Sequence, residues 1–277
     1  MKKIIIVQVV VLTLCGISLT SCSEKKDMPV NPQPGEKRYV MAEMTESSDE
    51  AIIKHYFTYD KEGRLTQVRL QQSFSDEQQN TDDILKFIYD GNLITQMSTI
   101  QEKDFLFHLN ADGLLEDYEY YNYPTDDNLH FLYTYDDAHR MMEVNEYGMI
   151  MRTLTWEGDE VVKIVESLNG EVTETITIEP SEVETPGFYP RDLTGSVKSF
   201  YTLMGFYGKM PKHLPATWSS TSKAEIGTIQ VFSNYTYTVT NGLLVECVEE
   251  KETDIDLNFF VQKTNETIKY TYTWKEL

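Results

Sequence analysis

The stretch 56-YFTYDKEGRLTQV-68 sets two runs of alternating apolar and polar residues on either side of Asp-Lys-Glu-Gly. Alternation with period two, carried by aromatic and β-branched residues, is the pattern of strands with one face turned inward. Between the runs, Asp60 can accept hydrogen bonds from the amides of a type I turn. Gly63 can take the left-handed conformation that closes a bulged hairpin. The stretch therefore predicts two antiparallel strands joined by a tight turn, and the chain repeats that instruction.

Asp90-Gly91-Asn92 follows Phe87-Ile88-Tyr89 as a shorter form, and Asn110-Ala111-Asp112-Gly113 repeats the four-residue form with Asn in the Asp role. Tyr135-Asp136-Asp137-Ala138-His139-Arg140 puts His139 where glycine belongs, a residue that tolerates positive φ better than a branched one. Gly158 after Trp156-Glu157, Gly170 after Asn169 and Gly242 after Asn241 complete the set. Their spacing is irregular, so this is a family of hairpins and not a solenoid repeat.

In a meander, successive turns alternate between the two ends of the sheet. That parity puts the turns at 60, 90, 110, 136 and 157 at one end. Those near 78, 103, 125, 148 and 169 fall at the other, where the connections are longer and more polar. Residues 180–226 interrupt the pattern. Pro180, Pro186, Gly187 and Pro190 oppose a continuing ladder. Val197, Phe200, Tyr201, Met204 and Tyr207 then follow helical spacing. We read a short helix over 196–206 that plugs the Tyr-Asp end with Val197, Phe200 and Met204 inward, then an irregular segment over 209–226. On that reading Asn241-Gly242 falls at the far end unless the excursion crosses the sheet. The fold class is all-β: a large antiparallel meander over 38–277, closed or nearly closed into a barrel, with one short helix in the long insertion 180–226.

The N-terminus supplies an address. Lys2 and Lys3 precede an apolar stretch too short to span a bilayer, which ends in Leu19-Thr20-Ser21-Cys22. This resembles the lipobox of bacterial lipoproteins, and the resemblance implies a signal peptide over 1–21 and lipid attachment at Cys22. Residues 22–37 read as the lipidated cysteine and a disordered tether, rich in charge and proline. The formal charge is −21, which repels nucleic acid and anionic headgroups, so the lipid is the expected membrane contact. Cys15 leaves with the leader and Cys22 carries lipid, so Cys247 has no partner for a disulfide.

Tyr-x-Tyr-Asp-x-x-Gly-Arg-Leu resembles the YD repeats of secreted bacterial proteins. Together with the lipobox, the meander and 205-GFYGKMPKHLP-215, the chain resembles a Bacteroidetes lipoprotein family of unknown function. That family is described as having a porin-like β fold. The resemblance implies an outer-membrane lipoprotein on the periplasmic or cell-surface face, and supplies no activity. A membrane-spanning barrel needs an unbroken apolar outer band. Charges such as Lys54, Arg69, Lys86, Asp117, Arg152, Lys163 and Glu174 interrupt the strands, so the barrel is expected to be soluble.

Chemistry is sparse. The five histidines show no zinc spacing, and no nucleotide, hydrolase-elbow or metalloprotease motif occurs. Asp254-Ile255-Asp256-Leu257-Asn258 imitates the start of a calcium loop, but Phe259 stands where its glycine is required. Neither metal nor cofactor is expected, and no catalytic residue is assigned. Phe74, Tyr118, Tyr120, Tyr121 and Tyr123 cluster near the loopy end as a candidate sugar-stacking surface. We read a non-catalytic scaffold that binds a glycan or an envelope partner. The alternative is a carbohydrate-active hydrolase using surface carboxylates.

Overall fold

A computed structural model describes residues 38–74, 80–100, 104–122, 127–146, 148–194, 199–224 and 226–277. The leader, Cys22, the tether, Tyr123 and Val197 lie outside these residues. So do the side chains of Tyr121, Asn122, Asp127, Asn128 and Ala224.

Sixteen antiparallel strands form one closed barrel. In chain order they are β1 (Tyr39–Ser47), β2 (Ala51–Tyr59), β3 (Leu65–Phe74), β4 (Thr81–Asp90), β5 (Leu93–Ser98) and β6 (Phe105–Leu109). There follow β7 (Leu115–Asn122), β8 (Asp127–Tyr135), β9 (Met141–Glu146), β10 (Ile150–Glu157) and β11 (Glu160–Leu168). The last five are β12 (Glu171–Glu184), β13 (His213–Ala224), β14 (Gly227–Thr240), β15 (Leu243–Leu257) and β16 (Phe260–Glu276). Each strand pairs with its chain neighbours, and β1 closes the cylinder on β16 from Tyr39↔Glu276 to Ser47↔Lys269. Closure removes the sheet edges that would otherwise recruit other chains.

The Tyr-Asp turns have the chemistry their residues dictate. Asp60 Oδ1 accepts from the amides of Glu62 and Arg64 at 3.0 and 2.9 Å, and its Oδ2 accepts from Arg64 Nε at 2.7 Å. The Gly63 amide donates to the Asp60 carbonyl, and Gly63 has φ +80°. Asp136 repeats every one of these bonds with Ala138 and Arg140, and His139 fills the glycine position at φ 60°. Asn110 makes the two amide bonds with Asp112 and Leu114. Each arginine then stacks on an aromatic ring of the strand beyond, Arg64 on Tyr89 at 4.8 Å and Arg140 on Trp156 at 5.7 Å. Those rings in turn donate to the carbonyls of Leu65 and Met141, each at 2.8 Å, and Trp274 does the same to Leu244 at 2.6 Å. The turn thus fastens three strands at once.

The register places the turns at 60, 90, 110, 136 and 158 at one end and the remaining hairpins of β1–β12 at the other, so the parity argument holds for that part of the chain. It fails for Asn241-Gly242. Residues 213–224 are a strand and not an irregular segment, pairing with β12 from Glu174↔Ser222 and with β14 up to Ala224↔Gly227. One additional strand reverses the parity, and Asn241-Gly242 sits with the Tyr-Asp turns. Pro180 does not end β12 either. It is absorbed at a register shift, and the excursion narrows to residues 185–212.

That excursion leaves and returns at the Tyr-Asp end and fills the barrel there. The helix is a 3-10 helix, Ser199–Met204, shorter and tighter than the one expected. Phe200 and Tyr201 are buried, and Met204 packs partly buried against the core. Phe188, Tyr189, Leu193, Phe206 and Tyr207 join them, so most of the plug's contribution comes from outside the helix. Burying each such aromatic is worth roughly 1.5–3 kcal/mol. The stretch 205–212 explains itself here. The Phe206 carbonyl accepts from the Leu115 amide, the Lys209 amide donates to the His139 carbonyl, and the Lys212 amide donates to the Asp159 carbonyl, at 2.8–2.9 Å. Lys209 Nζ adds an ion pair to Asp159 at 2.8 Å. Gly208 lies so close to the wall that a Cβ would stand 2.3 Å from the His139 oxygen.

The outer surface carries ion pairs on strands around the circumference: Arg69–Asp82 at 2.6 Å, His130–Asp117 at 3.0 Å and Lys269–Glu246 at 2.6 Å. No helix among the described residues is long and apolar enough to cross a membrane, which leaves open what strands do.

Candidate ligand-binding cup

The barrel interior changes character along its axis. Toward the Tyr-Asp end, inward residues such as Phe57, Leu65, Val68, Phe87 and Ile94 are almost fully buried beneath the plug. Toward the other end the inward positions are polar and half-exposed, among them Glu46, Gln72, Glu146, Glu166 and Glu174. Register fixes their orientation, because residues directly opposite share a face. Glu146 stands opposite Phe131, Arg152 opposite both Val144 and Glu166, and Glu166 opposite Glu174. The lumen is thus a cup, with the plug as its floor.

One wall of the cup is aromatic. Phe105 stacks on Tyr118 and Tyr120 with centroids 6.1 Å away in each case, and Tyr120 stacks on Phe131 at 5.6 Å with 22° between planes. Tyr118 is buried between Phe107 and this layer, so it supports the wall from below. Phe105 and Tyr120 are half-buried and form its upper part. Of the aromatic residues the sequence nominated, Tyr118 and Tyr120 therefore belong to one wall. Tyr121 pairs with Asn128 through its backbone. Phe74 ends β3 at the same mouth without a ring contact to the others among the described residues. Phe105 and Phe131 escaped the sequence reading, although both occupy the inward phase of an aromatic strand, which was the available signal.

The adjoining wall on β9–β11 and the far wall on β15 and β1 are charged. Arg152 Nη2 holds Glu166 Oε2 at 2.7 Å. Glu146 is pushed above the ordinary carboxyl range by burial and then by the neighbouring Glu166 carboxylate, against the pull of Arg152. On β15, Glu249 is 1% exposed and is held from the plug by Arg191. Ser233 and Tyr235 donate to Glu249 Oε1 at 2.7 and 3.2 Å, and Tyr270 donates to its other oxygen at 3.2 Å. The Arg191 guanidinium also lies 5.6 Å from the Trp218 ring. Beside this network Glu46 is raised by burial first, then by the Glu249 and Glu266 carboxylates. Asp83 is buried on β4, accepting from Ser98 and Thr99 at 2.8–3.0 Å. Asp254–Leu257 is the end of β15, an ordinary strand in place of the imitated calcium loop. Cys247 is buried and its thiol is pushed up to about 12 by burial, so it is inert near neutral pH.

No protein-family model matches the chain, and no curated protein sequence matches it. Two solved structures are similar in fold. One is the crystal structure of a porin-like protein from Bacteroides uniformis ATCC 8492, with TM-score 0.64 and 14% identity over 84% of this chain and 98% of that one. The other is a porin-like protein from Bacteroides vulgatus ATCC 8482, with TM-score 0.52 and 11% identity over 86% of this chain and 99% of that one. At such identities the likeness shows the fold alone: this is a porin-like, all-antiparallel barrel.

Proposed function

We propose that this protein is a lipid-anchored barrel of the bacterial envelope whose luminal cup binds an extended glycan without transforming it. The single observation that carries the reading is the stacked wall of Phe105, Tyr120 and Phe131, facing polar side chains across a half-exposed lumen with a packed floor. Aromatic faces bind the apolar faces of sugar rings, and polar groups opposite satisfy the hydroxyls. The charged exterior supports a barrel bathed in water, since a lipid-facing wall would require an apolar band. The lipobox-like Leu19–Cys22 supports anchoring at Cys22, and the envelope setting agrees with the source of the similar porin-like folds. A glycan-array screen of the mature chain tests the reading. Binding of an oligosaccharide that Tyr120→Ala weakens about tenfold or more supports it. A hit that Tyr120→Ala leaves unchanged removes the cup from the account.

A second reading, hydrolysis, is favoured by one pair. Glu146 is raised, which suits a proton donor, and the Glu166 side chain, bonded to Arg152, lies in the same lumen. It predicts release of reducing ends from the array hit, abolished by Glu146→Gln.

A further inference from the structure

A cavity of about 320 Å³ lies near the loop end over β2–β4, lined mainly by outward residues and, at the rim of the cup, by Gln72 and Thr81. Its groups leave donors and positive charge unspent. By register Lys54, Gln71 and Asp82 stand side by side across three strands. Asp82 is fully engaged: Arg69 grips both its oxygens through Nε at 3.0 Å and Nη2 at 2.6 Å, and Gln71 Nε2 adds a third bond at 3.3 Å. Lys54 is half-buried and has no ion-pair partner among the described residues. Arg69 cancels Asp82, so the cavity keeps the charge of Lys54 on a chain whose formal charge is −21.

The neutral groups point the same way. The Phe74 amide donates to Asn80 Oδ1 at 2.8 Å, and a backbone N–H can only donate, so the Asn80 amide NH₂ is left over as a donor. Gln71 spends its NH₂ on Asp82, which leaves its carbonyl oxygen to accept from a hydroxyl. Ser73 lines the cavity with a hydroxyl that can do either, and Ile52, 46% exposed, offers an apolar surface beside them. The volume is at the lower limit of the roughly 300–1,000 Å³ of small-ligand sites, room for a sugar residue and not for an oligomer.

We infer that this cavity is a binding site for a small hydroxylated carboxylate, an acidic sugar residue, with its carboxylate on Lys54 and its hydroxyls on Asn80, Ser73 and Gln71. The site is separate from the aromatic wall of the cup and requires no chemistry there.

The test titrates the mature chain by calorimetry with D-galacturonate, D-galactose and acetate at low and high salt. Galacturonate is expected to bind about tenfold or more tightly than either, as a charge-assisted contact added to hydroxyl contacts requires. Its affinity should fall as salt rises. Lys54→Gln should bring it to the level of galactose, Ser73→Ala should weaken it severalfold, and Tyr120→Ala should leave it unchanged. Equal affinity for galactose and galacturonate, or an unaltered Lys54→Gln, overturns the site. Equal affinity for acetate overturns the sugar assignment. Lys54 is on the outer face, so loss of folding is not expected to cloud the result, and a coincident thermal transition for Lys54→Gln confirms this.

Discussion

Among the contacts that dock the plug, one close approach can be tested alone, by alanine at Gly208. Gly208 has φ +77°, where an L side chain costs about 1–2 kcal/mol. Its Cβ would stand 2.3 Å from the His139 carbonyl oxygen and 3.1–3.2 Å from the Tyr135 ring, so the backbone must move. That movement breaks the 2.8 Å bond from the Lys209 amide to the His139 carbonyl, worth about 1 kcal/mol. Local repacking adds about 1–3 kcal/mol. The expected loss is roughly 3–6 kcal/mol. Gly205 is the internal control. It has φ +76°, yet a Cβ there meets nothing within 4 Å, so Gly205→Ala should cost only the strain of about 1–2 kcal/mol. Thermal denaturation should therefore separate the two variants by roughly 5–15 °C for a barrel of this size. Equal transitions would refute the claim that contact with the His139 turn, beyond backbone conformation, holds the plug.

Other expectations follow from the same contacts. Replacing Cys22 with serine should move the protein to the soluble fraction or leave an uncleaved precursor; a processed variant that stays membrane-bound counts against the anchor. Glu46 is raised from its ordinary value of 4.5, so the native state binds the extra proton, and the stability tied to it is lost as pH rises above that value. Glu46→Gln should thus raise the urea midpoint at neutral pH and do little below the ordinary carboxyl range; no gain at neutral pH contradicts the assignment. Arg191→Met leaves Glu249 buried with only its three hydroxyl donors and should cost about 3 kcal/mol, read as a lower urea midpoint.

The wall of the barrel could be read in the chain because its strands alternate in phase with aromatic and β-branched residues, and its turns carry their own chemistry. Asp60 and Asp136 each specify five residues of backbone, which is why the placement of those turns was legible. The strand β13 was not. Its inward residues include Ser220 and Ser222, and in Leu-Pro-Ala-Thr-Trp-Ser-Ser-Thr-Ser the apolar alternation is lost toward the polar cup, where Ser222 stands opposite Glu174. Pro180 does not end β12, since a register shift accommodates it. The plug's largest groups, Phe188 and Tyr189, lie in a segment without periodicity, where no local pattern announces burial. The cup was hidden for a different reason. Arg152 and Glu174 look like surface charges, because a sequence cannot distinguish outward water from water inside a lumen. Only the register, which sets Arg152 against Val144 and Glu166, turns them inward.

The most direct test of the cup is deuterium exchange of the mature chain, read by mass spectrometry with and without its glycan. Occupation of the lumen should slow exchange in the loop-end halves of β6–β11, around Phe105, Tyr120, Glu146 and Arg152. The Tyr-Asp turns at 60–64 and 136–140 should be unchanged. Protection confined to those turns or to the outer face, with the lumen unaffected, would contradict it.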